Sequence, residues 1–230
     1  VVLAGLVFSR GLALMPSVQH RADRIVVRCV RLGSASLSYP LVEGTSAFLM
    51  DAGSLYEVNL EAASVVTKVK LPIPDPAEAG YPDFVNPPGK KSAEPRLGRI
   101  ARLGPSMLAL RYPFNMGRSF KDDSGHGWAS AGLWRLEAEV DLEAKKVASW
   151  RVVEGPMDFQ LGYPHPVQVG PFKVVWGDHK DSLHVTGPRV DTRIWTAGWV
   201  EWLVAFEGYA LAGTDRGALY VIAFPPPGRR

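Results

Sequence analysis

The feature that most constrains this chain is a phrase that recurs along it: a glycine turn, an apolar and aromatic pair, then an alternating strand. It reads Gly53-Ser54-Leu55-Tyr56-Glu57-Val58, then Gly132-Leu133-Trp134-Arg135-Leu136, then Gly217-Ala218-Leu219-Tyr220-Val221-Ile222, with a fainter copy at Gly11-Leu12-Ala13-Leu14. Three copies are preceded by another strand that opens on a glycine, at 44–50, 104–110 and 208–212. Two strands joined through a Gly or Asp turn predict a hairpin. After two copies come polar turns, Asn59-Leu60-Glu61-Ala62 and Asp141-Leu142-Glu143-Ala144, and then further strands at 65–71 and 147–153. In 65–71 the apolar Val65, Val69 and Leu71 share a face with Thr67, and Lys68 and Lys70 take the other, the period of two of a half-buried strand. No stretch of ten or more residues reads as an amphipathic helix.

The chain of 230 residues divides into about five units, 1–33, 34–72, 97–154, 155–195 and 196–230. Repeats of this size with four strands each predict an all-β fold, a β-propeller of about five four-stranded blades, in one domain spanning 1–230. A β-sandwich is the competing architecture. The last unit lacks an outer strand, and residues 25–32 are placed to supply it, closing the ring and covering two sheet edges. Residues 72–96 hold Pro72, Pro74, Pro76, Pro82, Pro87, Pro88 and Pro95, which predicts an extended inserted loop without a strand ladder.

Composition excludes wholesale disorder: 47% of residues are hydrophobic and 21% charged. The 23 Gly and 19 Pro supply the turns that many short strands need. The net charge of +3 arises from 17 Arg and 9 Lys spread among the acids, which makes nucleic acid an unlikely partner. Arg21, Arg24, Arg28 and Arg31 form the densest basic group; a solvated strand face is the expectation and a phosphate-binding stripe the alternative. The single Cys29 excludes an internal disulfide and is expected to be a buried, inert thiol. Scarce Asn and Gln beside abundant Arg suggest a thermophilic source. The apolar stretch 1–15 contains Arg10 and two glycines and is too short and interrupted to span a membrane. A soluble, cytoplasmic protein is expected, with secretion after leader removal as the alternative.

The run Lys121-Asp122-Asp123-Ser124-Gly125-His126-Gly127-Trp128 resembles the Asp-box of sialidase-like propellers, with Asp123, Gly125 and Trp128 matching and Lys121 standing where Ser or Thr is usual. The box belongs to the turn between the outer two strands of a blade, where the carboxylate accepts backbone N–H groups, the glycine turns the chain and the Trp plugs the blade. In that family it is structural, so the resemblance implies fold rather than activity. The segment Gly162-Tyr163-Pro164-His165-Pro166 is similar to the Tyr-Pro segment that opens a blade in the same family.

A glycoside hydrolase of this architecture requires two carboxylates flanking a glycosidic bond. Asp51, Asp178, Glu201 and Asp215 lie near strand ends, with Arg111 or Arg118 able to hold an anionic substrate through a bidentate contact. Asp51 and Asp215 precede Gly53 and Gly217 and read as turn formers, which leaves Asp178 and Glu201 as the catalytic pair of a hydrolase reading. Tyr163, His165, Asp178 and His179 are candidate ligand-binding residues at the axial mouth. His20, His126, His165, His179 and His184 share no metal-ligand spacing, and no metal or cofactor motif is present. Trp195, Trp199 and Trp202 read first as core packing, with an aromatic platform for sugar or peptide as the functional alternative.

The expected function is a non-catalytic β-propeller binding or scaffold module. It would recognise a partner protein or glycan at a mouth formed by 72–96, 163–165 and 178–180, alone or within a larger assembly. The alternative is a sialidase-like glycoside hydrolase.

Overall fold

The computed structural model describes residues 24–33, 36–51, 53–72, 92–93, 98–121, 127–154, 165–177 and 180–226. They form seventeen β-strands and no helix, in four antiparallel sheets built from meanders of sequence neighbours, the fourth completed by β1. The first sheet joins β2 (Leu41–Glu43), β3 (Ser46–Met50), β4 (Ser54–Asn59) and β5 (Ser64–Lys70). The second joins β8 (Met107–Lys121), β9 (Gly127–Asp141) and β10 (Lys146–Glu154), with β6 (Ser92–Ala93) and β7 (Arg99–Arg102) both on the inner edge of β8. The third joins β11 (Val167–Val169), β12 (Phe172–Trp176), β13 (Ser182–Gly187) and β14 (Val190–Trp195). The fourth is β15 (Val200–Phe206), β16 (Tyr209–Thr214) and β17 (Ala218–Ala223), completed by β1 (Val26–Arg31) from the other end of the chain.

This is a β-propeller, closed by an N-terminal strand as the missing outer strand of the last unit predicted. β1 pairs antiparallel with β17 from Val26 opposite Ala223 to Arg31 opposite Ala218, covering the edge that β17 would otherwise present. The described blades number four rather than five, because the described part of unit 1–33 contributes only this closing strand. The Pro-rich insertion also departs from expectation at one point, where Ser92 and Ala93 pair with Asn115 and Phe114.

Three apolar clusters hold the blades in series. The first packs Phe172, Val174, Leu183 and Val185 of the third sheet against Ala210, Ala212, Tyr220 and Ile222 of the fourth. The second packs Leu211, Leu219 and Val221 of the fourth sheet against Ala47, Leu49, Tyr56 and Val58 of the first. The third packs Phe48, Met50 and Leu55 of the first sheet against Leu108, Leu110, Leu136 and Val140 of the second. The first and fourth sheets are therefore buried on both faces. That is why 47–50 and 218–222 are unbroken apolar runs rather than alternating ones. The second and third sheets bury one face each and alternate, as in Leu136-Glu137-Ala138-Glu139-Val140 and Leu183-His184-Val185-Thr186.

Two local irregularities refine the expected strands. A register shift between Glu57 and Val58 lets Val66 bulge out of β5, so Val65 and Val66 are exposed while Thr67, Val69 and Leu71 are buried. Gly132 opens no hairpin. It lies inside β9, opposite Met116, and the β8–β9 ladder runs on to Lys121 opposite Gly127. Beyond Asn115 no third described strand pairs with this hairpin, so its six outermost residue pairs project about 20 Å at ~3.4 Å per residue.

Candidate functional site

In a meander each strand reverses direction, so the turns between second and third strands, and the links from one sheet to the next, all fall at the same end of the blades. Among the described residues, that end collects Asp51 and Gly53, Gly177 with Lys180 and Asp181, the turn 215–217, the residues 32–33 and 36–40, and the link 196–199.

Where the rim is described, its turns are tied to one another by backbone hydrogen bonds. Thr196 N–H donates to the Asp181 carbonyl (2.9 Å) and Val200 N–H to that of Lys180 (2.6 Å), joining the third sheet to the link that follows it. Asp215 N–H donates to the Trp199 carbonyl (3.0 Å), and Leu32 N–H to the Gly217 carbonyl (2.9 Å). Side chains reinforce the link 196–199. Ala197 N–H donates to the Tyr220 hydroxyl (2.7 Å), Thr214 Oγ1 to the Ala197 carbonyl (3.1 Å), and Trp199 N–H to Asp215 Oδ1 (2.7 Å). Burial, more than any other cause, pushes the Tyr220 phenol up to about 12. The hydroxyl therefore stays protonated and uncharged at neutral pH. Gly198 has φ +106°, and a β-carbon there would overlap the Asp215 carboxylate, so only glycine fits the link.

Two tryptophans flank or lie on this link. Trp195, at the end of β14, is 64% exposed and Trp199 is 63% exposed, whereas Trp202, one turn of strand further on, is 1% exposed. Trp202 lies flat on Gly213 and donates its indole N–H to the Leu37 carbonyl at 2.9 Å. The three residues that read together as core packing thus divide, one into the core and two onto the rim. The Arg193 guanidinium stands 5.6 Å from the Trp195 ring centroid.

The carboxylates of the rim have defined duties. Asp51 Oδ1 accepts the N–H groups of Gly53 (2.9 Å) and Ser54 (2.8 Å), and its Oδ2 accepts the Tyr56 hydroxyl (2.9 Å). Asp215 accepts the Trp199 N–H. Asp51 holds its own turn, as its position before Gly53 implies, whereas the Asp215 carboxylate ties its turn to the link 196–199. Glu201 is the second residue of β15, the innermost strand of its sheet, and is half-buried; its charge and, more strongly, burial raise the pKa of Tyr39.

Asp178, His179 and Tyr163 lie outside the described residues, and His165 is exposed just ahead of β11. Arg111 is in β8 within the ladder to β7, ion-paired to Glu137 at 3.4 Å. Arg118 lies seven residues further along β8, opposite Ser130 on the projecting part of the hairpin, about 24 Å away along the strand. The two arginines are not brought together.

Asp123 and Gly125 lie outside the described residues, and Trp128 is described only by its backbone, opposite Phe120. The loop that carries them joins β8 to β9, the middle strands of the blade, whereas an Asp-box joins the outer two. The propeller holds and the Asp-box placement does not.

No family model matches the chain, and no curated protein matches it. Solved structures similar to it include BamB from Moraxella catarrhalis, at 13% identity over 85% of this chain and 74% of that one, with a TM-score of 0.24. Virginiamycin B lyase from Staphylococcus aureus is 6% identical over 87% and 100%, with a TM-score of 0.36. The Pan2 WD40 domain from Neurospora crassa is 9% identical over 84% and 76%, with a TM-score of 0.26. Similarity this low carries nothing about activity or partner, and the propeller assignment stands on the sheet order, the closing strand and the three inter-sheet cores.

Proposed function

We propose that this β-propeller is a non-catalytic binding or scaffold module whose ligand, a partner protein or a glycan, docks on the rim that carries Trp195 and Trp199. The observation that carries this reading is a contradiction of ordinary burial: two tryptophans more than 60% exposed, Trp195 at the end of β14 and Trp199 on the cross-tied link that follows it. A large apolar ring left in water at a rigid position loses no conformational entropy of its backbone on binding, the property of an interface anchor. In this reading the residues expected at the mouth, Tyr163, His165, Asp178 and His179, would contribute polar contacts around the rings. A hydrolytic reading is less well supported. Asp51 and Asp215, two of the carboxylates considered for it, are engaged by backbone N–H groups, Asp51 within its own turn and Asp215 with the link 196–199.

The test compares the wild type with a Trp195→Ala/Trp199→Ala double variant on a glycan array and in affinity capture from a native extract read by mass spectrometry. The expected result is a ligand retained by the wild type and lost by the variant, with melting temperatures that agree within about 2 °C because exposed side chains contribute little to stability. Identical glycan and protein profiles for the two would refute the assignment of the rim.

A further inference from the structure

Trp195 and Trp199 stand among polar side chains that the fold brings to them from two sheets. Thr196 N–H is held by the Asp181 carbonyl and Val200 N–H by that of Lys180, so consecutive residues of one turn grip the chain next to each ring. Trp195 carries the Arg193 guanidinium over its ring, 5.6 Å from the centroid. Beside Trp199, the Asp215 carboxylate and the stem of Arg216 both lie against Gly198, where a β-carbon would overlap Asp215 Oδ1 and stand 2.9 Å from Arg216 Cγ. Arg193 and Arg216 are exposed, and neither guanidinium is hydrogen-bonded among the described residues. Asp215 Oδ1 accepts the Trp199 N–H at 2.7 Å, and no described group donates to its Oδ2.

These surroundings suit one class of ligand. A charged ligand calls for a surplus of the opposite charge, and here each cation has an anion beside it: Arg216 follows Asp215, Lys180 precedes Asp181, and Arg193 shares a face of β14 with Asp191 two residues away. A protein interface of standard size covers ~800 Å² on each side around an apolar centre. The other exposed large hydrophobics among the described residues lie away from the rings, Leu103 in the β7–β8 turn, Val65 and Val66 on β5 and Trp150 on β10. Two indole faces with donors and an acceptor at their edges instead match a pyranose. Its C–H face is apolar and weakly positive, complementary to the negative face of an indole, and its vicinal hydroxyls both donate and accept.

We infer that the rim binds a neutral oligosaccharide, with sugar rings stacked on Trp195 and Trp199 and hydroxyls that accept from Arg193 and Arg216 and donate to Asp215 Oδ2. This rests on the reading of the rim as the docking surface and commits that surface to one ligand class. The backbone that carries both rings is tied to the turn 180–181 and, through Asp215, to the fourth sheet, so the spacing of the two sugar subsites is set before binding and little backbone ordering is required.

Isothermal titration and tryptophan fluorescence with cellohexaose, maltohexaose, xylohexaose and chitohexaose, and with oligogalacturonate as the charged comparison, test it. Saturable binding of at least one neutral oligosaccharide is expected, with the same affinity at low and high ionic strength. It should weaken at least about tenfold in Trp195→Ala and in Trp199→Ala and several-fold in Arg216→Gln. It should persist in Trp199→Tyr, which keeps an aromatic face, and in Arg189→Gln, an exposed arginine in the β13–β14 turn. Melting temperatures within about 2 °C of the wild type separate a lost contact from a lost fold. No saturable binding of a neutral probe, equal binding by both tryptophan variants, or preference for oligogalacturonate with an affinity that falls as salt rises would each overturn the inference. A protein captured by the wild type and lost by the double variant, with no oligosaccharide bound, would overturn the sugar assignment while the rim reading stands. Identical capture profiles together with no oligosaccharide binding would end both.

Discussion

Replacing Gly198 by alanine tests the reasoning about the rim at its tightest point. The link 196–199 is held from the fourth sheet by Asp215, whose carboxylate accepts the Trp199 N–H at 2.7 Å and whose N–H donates to the Trp199 carbonyl at 3.0 Å. Gly198 precedes that pair at φ +106°, a backbone that L side chains rarely adopt, and an added β-carbon would overlap Asp215 Oδ1 and lie 2.9 Å from Arg216 Cγ. Two costs follow. The strained backbone costs about 1–3 kcal/mol, and displacing the carboxylate from an exposed charge-assisted hydrogen bond costs about 1 kcal/mol. Together they give about 2–4 kcal/mol, and at ~2–4 °C per kcal/mol for a chain of this length the melting temperature should fall by about 4–16 °C. The control is Gly170→Ala. Gly170 also has positive φ, +57°, but nothing lies within 4 Å of the added carbon. It meets only the left-handed backbone penalty of about 1 kcal/mol, a shift of about 2–4 °C. Calorimetric or fluorescence melts of the three proteins settle the matter. A Gly198→Ala shift no larger than that of Gly170→Ala would refute the claim that the link is clamped against Asp215.

Two further outcomes are expected. Trp202→Phe removes buried ring volume and the donor to the Leu37 carbonyl, and should cost about 2–4 kcal/mol in urea unfolding, whereas Trp195→Phe on the exposed rim should stay within about 0.5 kcal/mol. Glu43 of β2 receives both Nε and Nη2 of Arg102 from β7, a pair that joins two blades and holds the Glu43 carboxyl below its usual range, first through the hydrogen bonds. A depressed folded pKa stabilises above the unfolded value of about 4.3 and is lost as pH falls through the folded value. The urea midpoint of Glu43→Gln should therefore lie below that of the wild type at neutral pH and converge with it in acid. A gap that persists unchanged in acid would assign the effect to packing.

The fold was legible because its signals are local. Glycine turns, alternating strands such as Lys68 and Lys70 against Val69 and Leu71, and the missing outer strand of the last unit each follow from backbone geometry and the period of two. The deviations also have local causes, a bulge at Val66 and a glycine, Gly132, that continues a strand instead of turning it. The candidate site was less legible. Trp195, Trp199 and Trp202 carry the same side chain within eight positions, and the sequence offers no reason why only the last is buried; that depends on Gly213 and Leu37, which the fold brings to it from distant positions.

By itself, then, the sequence determined the class of structure: an all-β chain of repeated four-stranded units whose N-terminal strand completes the last. It also contained, in the contrast between unbroken apolar runs such as 47–50 and alternating ones such as 136–140, the information that some sheets are buried on two faces and others on one. Tertiary structure alone decided which exposed groups converge. Arg99, Arg111 and Arg151 stand in a single row because strand register aligns positions up to 52 residues apart, and the link that carries Trp199 is held by Asp215, which accepts the Trp199 N–H, and by Tyr220, which accepts that of Ala197. Residue spacing fixes what one strand can present, but only pairing and packing between strands fix what two of them present together.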